Sequence, residues 1–397
     1  MRILIVTETV PYPPVGGHKI PTYYLIRGLA ERGHAITLLA AQDSDEQPVI
    51  DKLQDCCEKV IVVPGKRPSL SSYVWRSFPF VRNQLNKELQ KHFLALTEAE
   101  RFEVIHYDSD RAVQYGRNVR TQSVEIVGCR DAFSLMLERR RKTEHNILKK
   151  AYAELRRREF LFMERRLYPQ KDAVIVVSPE DQQYLQKLLA APIYSVPNGV
   201  DSEHFAFDRS HETANRLLFV GHYGSPANRD AVMWFIRDVY RQLYEKYPHV
   251  RFHVVGPESE RISIPEELGH SALLRGYVAN LVEEYHAAQI FVSPLRYGAG
   301  IKNKILEAFS TGLPVVATDV SMEGFGAMDE QHYLKANTPD EFVRQIGRLL
   351  IDVELRRRLR MNARRLVDQK FSIDQMVSGY EAIYQTLMQK KGLLQKS

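Results

Sequence analysis

The chain has 397 residues, 44% of them hydrophobic, and a formal net charge of +6, enough apolar material to fill two domains rather than one or three. No window approaches about 18 uninterrupted apolar residues, so neither a membrane span nor, in the opening MRILIVTETVPYPP, a signal peptide is expected. The three cysteines, Cys56, Cys57 and Cys129, form neither an even disulfide framework nor a metal-ligand spacing, which fits a reducing, cytoplasmic setting without a thiol-bound metal.

In chain order, RILIVTE (2–8) reads as a buried strand and KIPTYYLIRGLAERG (19–33) as a helix ending at Gly33. The runs AITLLAA (35–41), KVIVVP (59–64), EVIHYD (103–108), VEIVG (124–128) and AVIVVS (173–178) read as further strands with helices between them. Between 192 and 215 the texture changes to PIYSVPNGVDSEHFAFDRSHETAN, whose Pro197 and Asn198-Gly199 are turn and linker signals. The alternation then restarts with RLLFVG (216–221), a helix over 228–246, VRFHVVG (250–256), ALLRGY (272–277), QIFVSP (289–294) and LPVVATD (313–319). From about 338 the pattern is helical, and the final IDQMVSGYEAIYQTLMQ is long enough to return over the first domain. The expected fold is α/β, with two Rossmann-like doubly wound domains facing across a cleft. Their expected bounds are 1–197 and 198–371, with 372–397 as a helix crossing back.

Residues 138–166 hold 11 Lys or Arg against 5 Asp or Glu, and 11 minus 5 equals the whole excess of 6. Leu148, Tyr152, Leu155 and Phe162 recur there at helical spacing and predict one apolar side with a basic remainder. Such a helix is read as a solvated face, as a dock for an anionic bilayer or acidic acceptor, or as a nucleic-acid contact. The last reading is disfavoured, because no binding module or base-stacking motif accompanies the charge. The stretch SLSSYVWRSFPFVRNQLNKELQKHF (69–93) mixes Trp75, Phe78 and Phe80 with arginines. It is read as buried aromatics or as an acceptor-facing or membrane-facing loop.

Chemistry is concentrated in RYGAGIKNKILEA (296–308), which follows a predicted strand and opens a predicted helix. The turn Gly298, Ala299, Gly300, Ile301 lets backbone approach a ligand, and the amides of the helix start attract anions. Lys302 and Lys304 add mobile positive charge, so a phosphate or diphosphate is the expected ligand; the plain alternative is an ordinary connection with solvated lysines. A second glycine loop, PYPPVGGHK (11–19), places Gly16 and Gly17 after the first strand. Neither the dinucleotide fingerprint nor the Walker spacing occurs, which argues against a redox cofactor and a nucleoside triphosphatase. No cofactor is expected.

The runs SVPNGVD, LLFVGHYGSPANRDAVMWF and LRGYVANLVEEYHAAQIFVSPLRYGAGIKNKILEAFSTGLPVVATDVSMEGF resemble the carboxyl-terminal domain of family 4 glycosyltransferases. PPVGGHKIPTYYLIRGLAERGH resembles that family's first loop and helix. The resemblance implies the GT-B architecture, a nucleotide diphosphate sugar held mainly by the second domain, and an acceptor hydroxyl on the first. It further implies metal-independent transfer with retention of anomeric configuration, in glycan or glycoconjugate biosynthesis. Glu307 matches the second carboxylate of the family's paired-Glu motif and would bind the nucleotide ribose. The first falls at Ala299, as in a branch whose Tyr-Gly-Ala-Gly or Tyr-Gly-Gly-Gly turn takes over donor binding with its amides. His222 and Asn228 stand where the family carries Arg and Lys for the diphosphate, which leaves Lys302, Lys304 or Arg229 to substitute. Tyr277 and Val278 match the position near the base. On the acceptor side, His106 and Asp131 are the candidates to orient the sugar or accept a proton, and Arg130 stands where a His often occurs. Apart from the resemblance, the apolar runs and cysteines lead to an expected cytoplasmic setting, and the charge of 138–166 to an expected peripheral contact at the membrane's inner face. A nucleotide sugar epimerase and a noncatalytic subunit of the same fold are the alternatives.

Overall fold

The computed structural model describes residues 1–14, 16–17, 19–42, 50–65, 85–117, 119, 121–144 and 146–393. Trp75, Phe78 and Phe80 lie outside the described residues. The chain divides into two compact units, Met1–Pro197 with Ile373–Ser397, and Asn198–Ser372.

Unit 1 contains a seven-stranded sheet in the order β3-β2-β1-β4-β5-β6-β7. Its strands are β1 Arg2–Thr7, β2 Ala35–Ala41, β3 Lys59–Val63, β4 Val104–Tyr107, β5 Val124–Arg130, β6 Ala173–Val176 and β7 Ile193–Ser195. Every neighbouring pair is parallel. Such a sheet is covered on both faces, which is why its strands read as continuous apolar runs. The two-residue alternation of β1 divides the core: Leu4 and Val6 pack on one side, Ile3 and Ile5 on the other.

Among the described residues, the unit 1 helices that precede unit 2 are α1 Lys19–Glu31, α2 Asp51–Gln54, α3 Lys87–Ala99, α4 Phe133–Thr143, α5 Ile147–Leu167 and α6 Pro179–Gln186. Residues expected to form a linker, 193–195, instead supply the edge strand β7. The basic stretch expected as a single helix is broken into α4 and α5. Asn146 caps the second by accepting from the Lys149 amide, and α4 stops at Glu144 in extended backbone.

Unit 2 contains a six-stranded sheet in the order β10-β9-β8-β11-β12-β13. Its strands are β8 Arg216–Val220, β9 Arg251–Val255, β10 Ala272–Gly276, β11 Ile290–Ser293, β12 Val315–Ala317 and β13 Leu334–Lys335. These also pair in parallel throughout. Helices α7 Pro226–Trp234, α8 Arg241–Lys246, α9 Leu281–Ala287, α10 Asn303–Ser310, α11 Asp319–Met322, α12 Pro339–Ile351 and α13 Val353–Lys370 complete it. A π-helical turn, Phe235–Tyr240, joins α7 to α8.

The last helix, α14 Ile373–Lys390, belongs to unit 1. Its Met376, Val377, Tyr380, Tyr384 and Leu387 join the core on the Ile3/Ile5 side of the sheet. It crosses α1 at Gly28, where a Cβ would stand 2.5 Å from the Val377 Cγ2 methyl. Among the described residues no helix is long and apolar enough to cross a membrane.

Candidate active site

Open parallel sheets bind ligands beyond the carboxyl ends of the strands where their order reverses. In unit 2 that point lies between β8 and β11. The residues after those strands are 221–225 and 294–302, and α10 follows the second group directly.

Three parts of the chain meet there. Asn228, in the first turn of α7, donates from Nδ2 to the His222 carbonyl at 3.0 Å and accepts at Oδ1 from Lys304 Nζ at 2.7 Å. Gly221 makes the approach possible, because a Cβ there would stand 3.0 Å from the Asn228 amide and 3.2 Å from Lys304 Nζ. The ammonium also lies over the Phe219 ring, 4.2 Å from its centroid. Burial pushes the Lys304 pKa down to about 7; the Glu307 carboxylate opposes that shift and Lys302 adds to it.

One helical turn further, Glu307 is buried and accepts at Oε2 from the Tyr285 hydroxyl at 2.7 Å. Burial raises its carboxyl above the usual range, while the Tyr285 hydrogen bond and Lys304 pull it back. Tyr285 comes from α9, so its hydroxyl fixes the carboxylate from a separate element.

The lysines are therefore held in place, contrary to the mobile charge expected from sequence. Lys302 is buried and donates to the Gly300 carbonyl at 2.7 Å, stapling the loop that precedes it. Gly300 has φ +65°, a left-handed conformation that favours glycine, so the turn cannot tolerate a side chain there without strain. Gly298 and Ile301 are buried and Ala299 is half-buried. Arg296, at the start of the loop, is clamped by both carboxylate oxygens of Asp230 from α7.

The remaining unit 2 candidates are more open. His222 is exposed, accepts at Nδ1 from the Gly224 amide at 3.1 Å, and has Nε2 3.4 Å from Glu258 Oε1. Arg229 is half-buried in α7. Tyr277 is exposed and Val278 half-buried, both following β10, which is two strands from β8.

In unit 1 the strand order reverses between β1 and β4. Gly16 and Gly17 follow β1, and the Gly16 carbonyl accepts from the amides of Lys19 and Ile20 at 3.1 and 3.3 Å. That engages two amides of the α1 start within the chain. Asp108, just past β4, accepts at Oδ2 from Thr22 at 2.5 Å and from Arg130 at 2.6 Å. Burial alone would raise the Asp108 carboxyl, but Arg130, His106 and Thr22 together hold it below the usual range.

His106 does not sit in a loop. It is the third residue of β4, 0% exposed, on the face covered by α14, and its Nδ1 hydrogen bonds the Tyr384 hydroxyl at 2.8 Å. Its Nε2 lies 3.6 Å from Asp108 Oδ1. An imidazole in that position lies within ion-pair distance of Asp108 without hydrogen bonding it, and is shielded from any molecule outside the core. Asp131 is half-buried directly after β5, next to Arg130, whose φ is +61°.

Sequence reasoning overlooked Tyr285, Asp230 and the hydrogen bond by which Asn228 holds Lys304. A tyrosine and an aspartate on amphipathic helices carry no signal in one sequence, since both read as ordinary core or surface. Among the described residues no group of three or more His, Cys, Asp or Glu is placed to hold a metal ion.

Residues 15–204 match the family described as Glycosyltransferase Family 4, and residues 214–352 match Glycosyl transferases group 1. A Klebsiella pneumoniae protein described as an uncharacterized 44.6 kDa protein in the cps region is 22% identical over 396 residues, 95% of this chain and 98% of its own. Among solved structures, sucrose-phosphate synthase from Thermosynechococcus elongatus superimposes with a TM-score of 0.75 at 17% identity, covering 98% of this chain and 100% of that one. HepE of Anabaena with UDP gives a TM-score of 0.66 at 16% identity over 98% of this chain and 100% of its own. Its complex with UDP-glucose gives 0.65 at 14% over 99% and 100%. At these identities the structural likeness speaks for the fold, a GT-B pair of Rossmann-like units. With one unit's sequence matching each family domain, the chain belongs to the glycosyltransferases that join a family 4 amino-terminal domain to a group 1 carboxyl-terminal domain.

Proposed function

We propose that the chain transfers a sugar from a nucleoside diphosphate sugar to an acceptor hydroxyl, retaining the anomeric configuration and using no metal. The observation that carries this reading is the joined pair at the start of α10. Glu307 is steadied by Tyr285, and Lys304 is aimed by Asn228, within one turn of helix.

Tyr285 engages Oε2 of Glu307, which leaves Oε1 to accept from a ribose hydroxyl. Asn228 occupies the place where the family resemblance implies a lysine for the diphosphate, and it presents Lys304 from the opposite element instead. When the bond from the anomeric carbon to the diphosphate oxygen breaks, charge develops on the leaving group, and a fixed ammonium there lowers the barrier. Backbone around Gly298, Ala299 and Gly300 contacts the donor, with Lys302 setting the loop's shape. Tyr277 and Val278 border the base. His222 and Arg229 stand at the margin of the diphosphate.

In unit 1, Asp131 serves the acceptor hydroxyl as orienting group or proton acceptor, and His106 acts through Asp108. Gly16 and Gly17 are assigned to donor binding by the same resemblance. HepE, a structural relative, has been solved with UDP and with UDP-glucose, which supports a nucleotide donor here. The setting proposed is the cytoplasm, in glycan or glycoconjugate assembly, in keeping with three free cysteines.

The test is incubation of the purified chain with a panel of nucleoside diphosphate sugars, with and without hydroxyl acceptors. Nucleotide release that requires an acceptor, and a product whose anomeric proton coupling matches the donor's, are the expected results. Absence of nucleotide binding across the panel would overturn the reading. Isomerised donor formed without acceptor would identify an epimerase instead.

A further inference from the structure

Helix α5 carries two groups of side chains that the core of unit 1 does not use. The first is apolar. Ile147 and Leu148 are 81% and 80% exposed, Phe162 51% and Tyr152 44%. Leu148, Tyr152, the half-buried Leu155 and Phe162 fall on one line along the helix, about 21 Å long at about 1.5 Å per residue. The packed face of the helix is a different one, made of Ala153, Phe160, Met163, Glu164 and Leu167.

The second group is basic. Arg157 and Arg158 pair with Glu154, and Arg156 pairs with Glu159. Glu159, the acid on the exposed line, is thereby neutralised. Lys149, Lys150, Arg165 and Arg166 are exposed, and no ion pair reaches them among the described residues.

An apolar line beside uncompensated cations selects among partners. A second copy of this chain would cover the line but bring like charges together, which costs affinity. A soluble acidic protein would answer the cations and leave the line in water. The interface of an anionic bilayer answers both, taking apolar side chains at the acyl boundary and cations at the phosphates.

We propose that α5 is a docking surface for an anionic bilayer, lying in the interfacial plane with Ile147, Leu148, Tyr152 and Phe162 inserted and Lys149, Lys150, Arg165 and Arg166 among the headgroups. This goes beyond the transfer reaction and does not depend on it.

The experiment is co-sedimentation of the full chain with vesicles of phosphatidylcholine alone or mixed with phosphatidylglycerol, at low and high salt. Binding to the anionic vesicles only, weakened by salt, is expected. Lys149→Glu with Lys150→Glu lowers partitioning by about tenfold or more. Leu148→Glu with Phe162→Glu lowers it as well, and Val353→Glu, an exposed apolar position in unit 2, leaves it unchanged. All these sites are exposed, so melting temperature and nucleotide binding serve as controls that should not move. Equal binding to both vesicle types, binding to neither, or variants that bind like the wild type would overturn the proposal. A dimer that Leu148→Glu splits, without vesicle binding, would show instead that the surface joins two copies of the chain.

Discussion

Lys304 and Asn228 are 76 positions apart in sequence and share a 2.7 Å hydrogen bond. Because burial holds the Lys304 ammonium down to about 7, the free protein carries it only partly protonated at neutral pH. A bound diphosphate favours the charged form, so donor binding takes up a proton. Nucleoside diphosphate affinity should therefore fall as pH rises through about 7, and calorimetry in buffers of different ionisation enthalpy should register the uptake. Lys304→Met should weaken binding and flatten that slope. For stability the sign is opposite: the folded-state pKa lies below the unfolded value of about 10.4, so the unfolded chain binds more protons between about 7 and about 10.4. Without ligand, the Lys304 contribution makes stability rise with pH across that window. Glu307→Ala should cost nucleotide affinity about 1–3 kcal/mol, the scale of a lost hydrogen bond to a charged group, measured by titration; unchanged affinity would remove Glu307 from the ribose. Glu307 and the Gly298–Gly300 turn were legible because they lie within one short run. The Asn228–Lys304 and Tyr285–Glu307 contacts were not, since only the folded sheet brings their helices together. The burial of His106 was not legible either: strand ends look alike in sequence, and its cover, Tyr384, comes from α14 at the far end of the chain.

At the scale of elements, α1 and α14 meet where Gly28 has no side chain. Ala there would gain about 1 kcal/mol of helix propensity and lose about 1–3 kcal/mol to overpacking against Val377. We expect Gly28→Ala to lower the denaturant midpoint and Val377→Ala to restore part of the loss in the double variant; additive effects would mean the two do not press on each other. The long buried strands were readable from their apolar runs. The short edge strands β7 and β13, of 3 and 2 residues, were not, because a pattern of period two needs more residues to show. The break between α4 and α5 had a signal, Asn146 as a cap, which the continuous run of charged residues on both sides obscured.

For the whole molecule, the net charge and the location of its excess were legible from composition, whereas the outward direction of the α5 apolar line required the fold. Every contact assigned above to the ribose and diphosphate other than those of Gly16 and Gly17 comes from Asn198–Ser372. That segment produced alone should bind nucleoside diphosphate, within about tenfold of the full chain on the ~1.4 kcal/mol scale of a single lost contact, and should transfer no sugar. Failure of a folded 198–372 fragment to bind would move the donor site elsewhere. Unit 1, by contrast, begins the chain and is finished by α14. During synthesis all of unit 2 leaves the ribosome before that helix exists, and the side of α1 and of the β5 residues Val124 and Ile126 that it covers waits for it. A stop codon after Ser372 would thus yield a complete second unit attached to a first with part of its apolar core uncovered, a client for chaperones and proteases rather than a shorter enzyme.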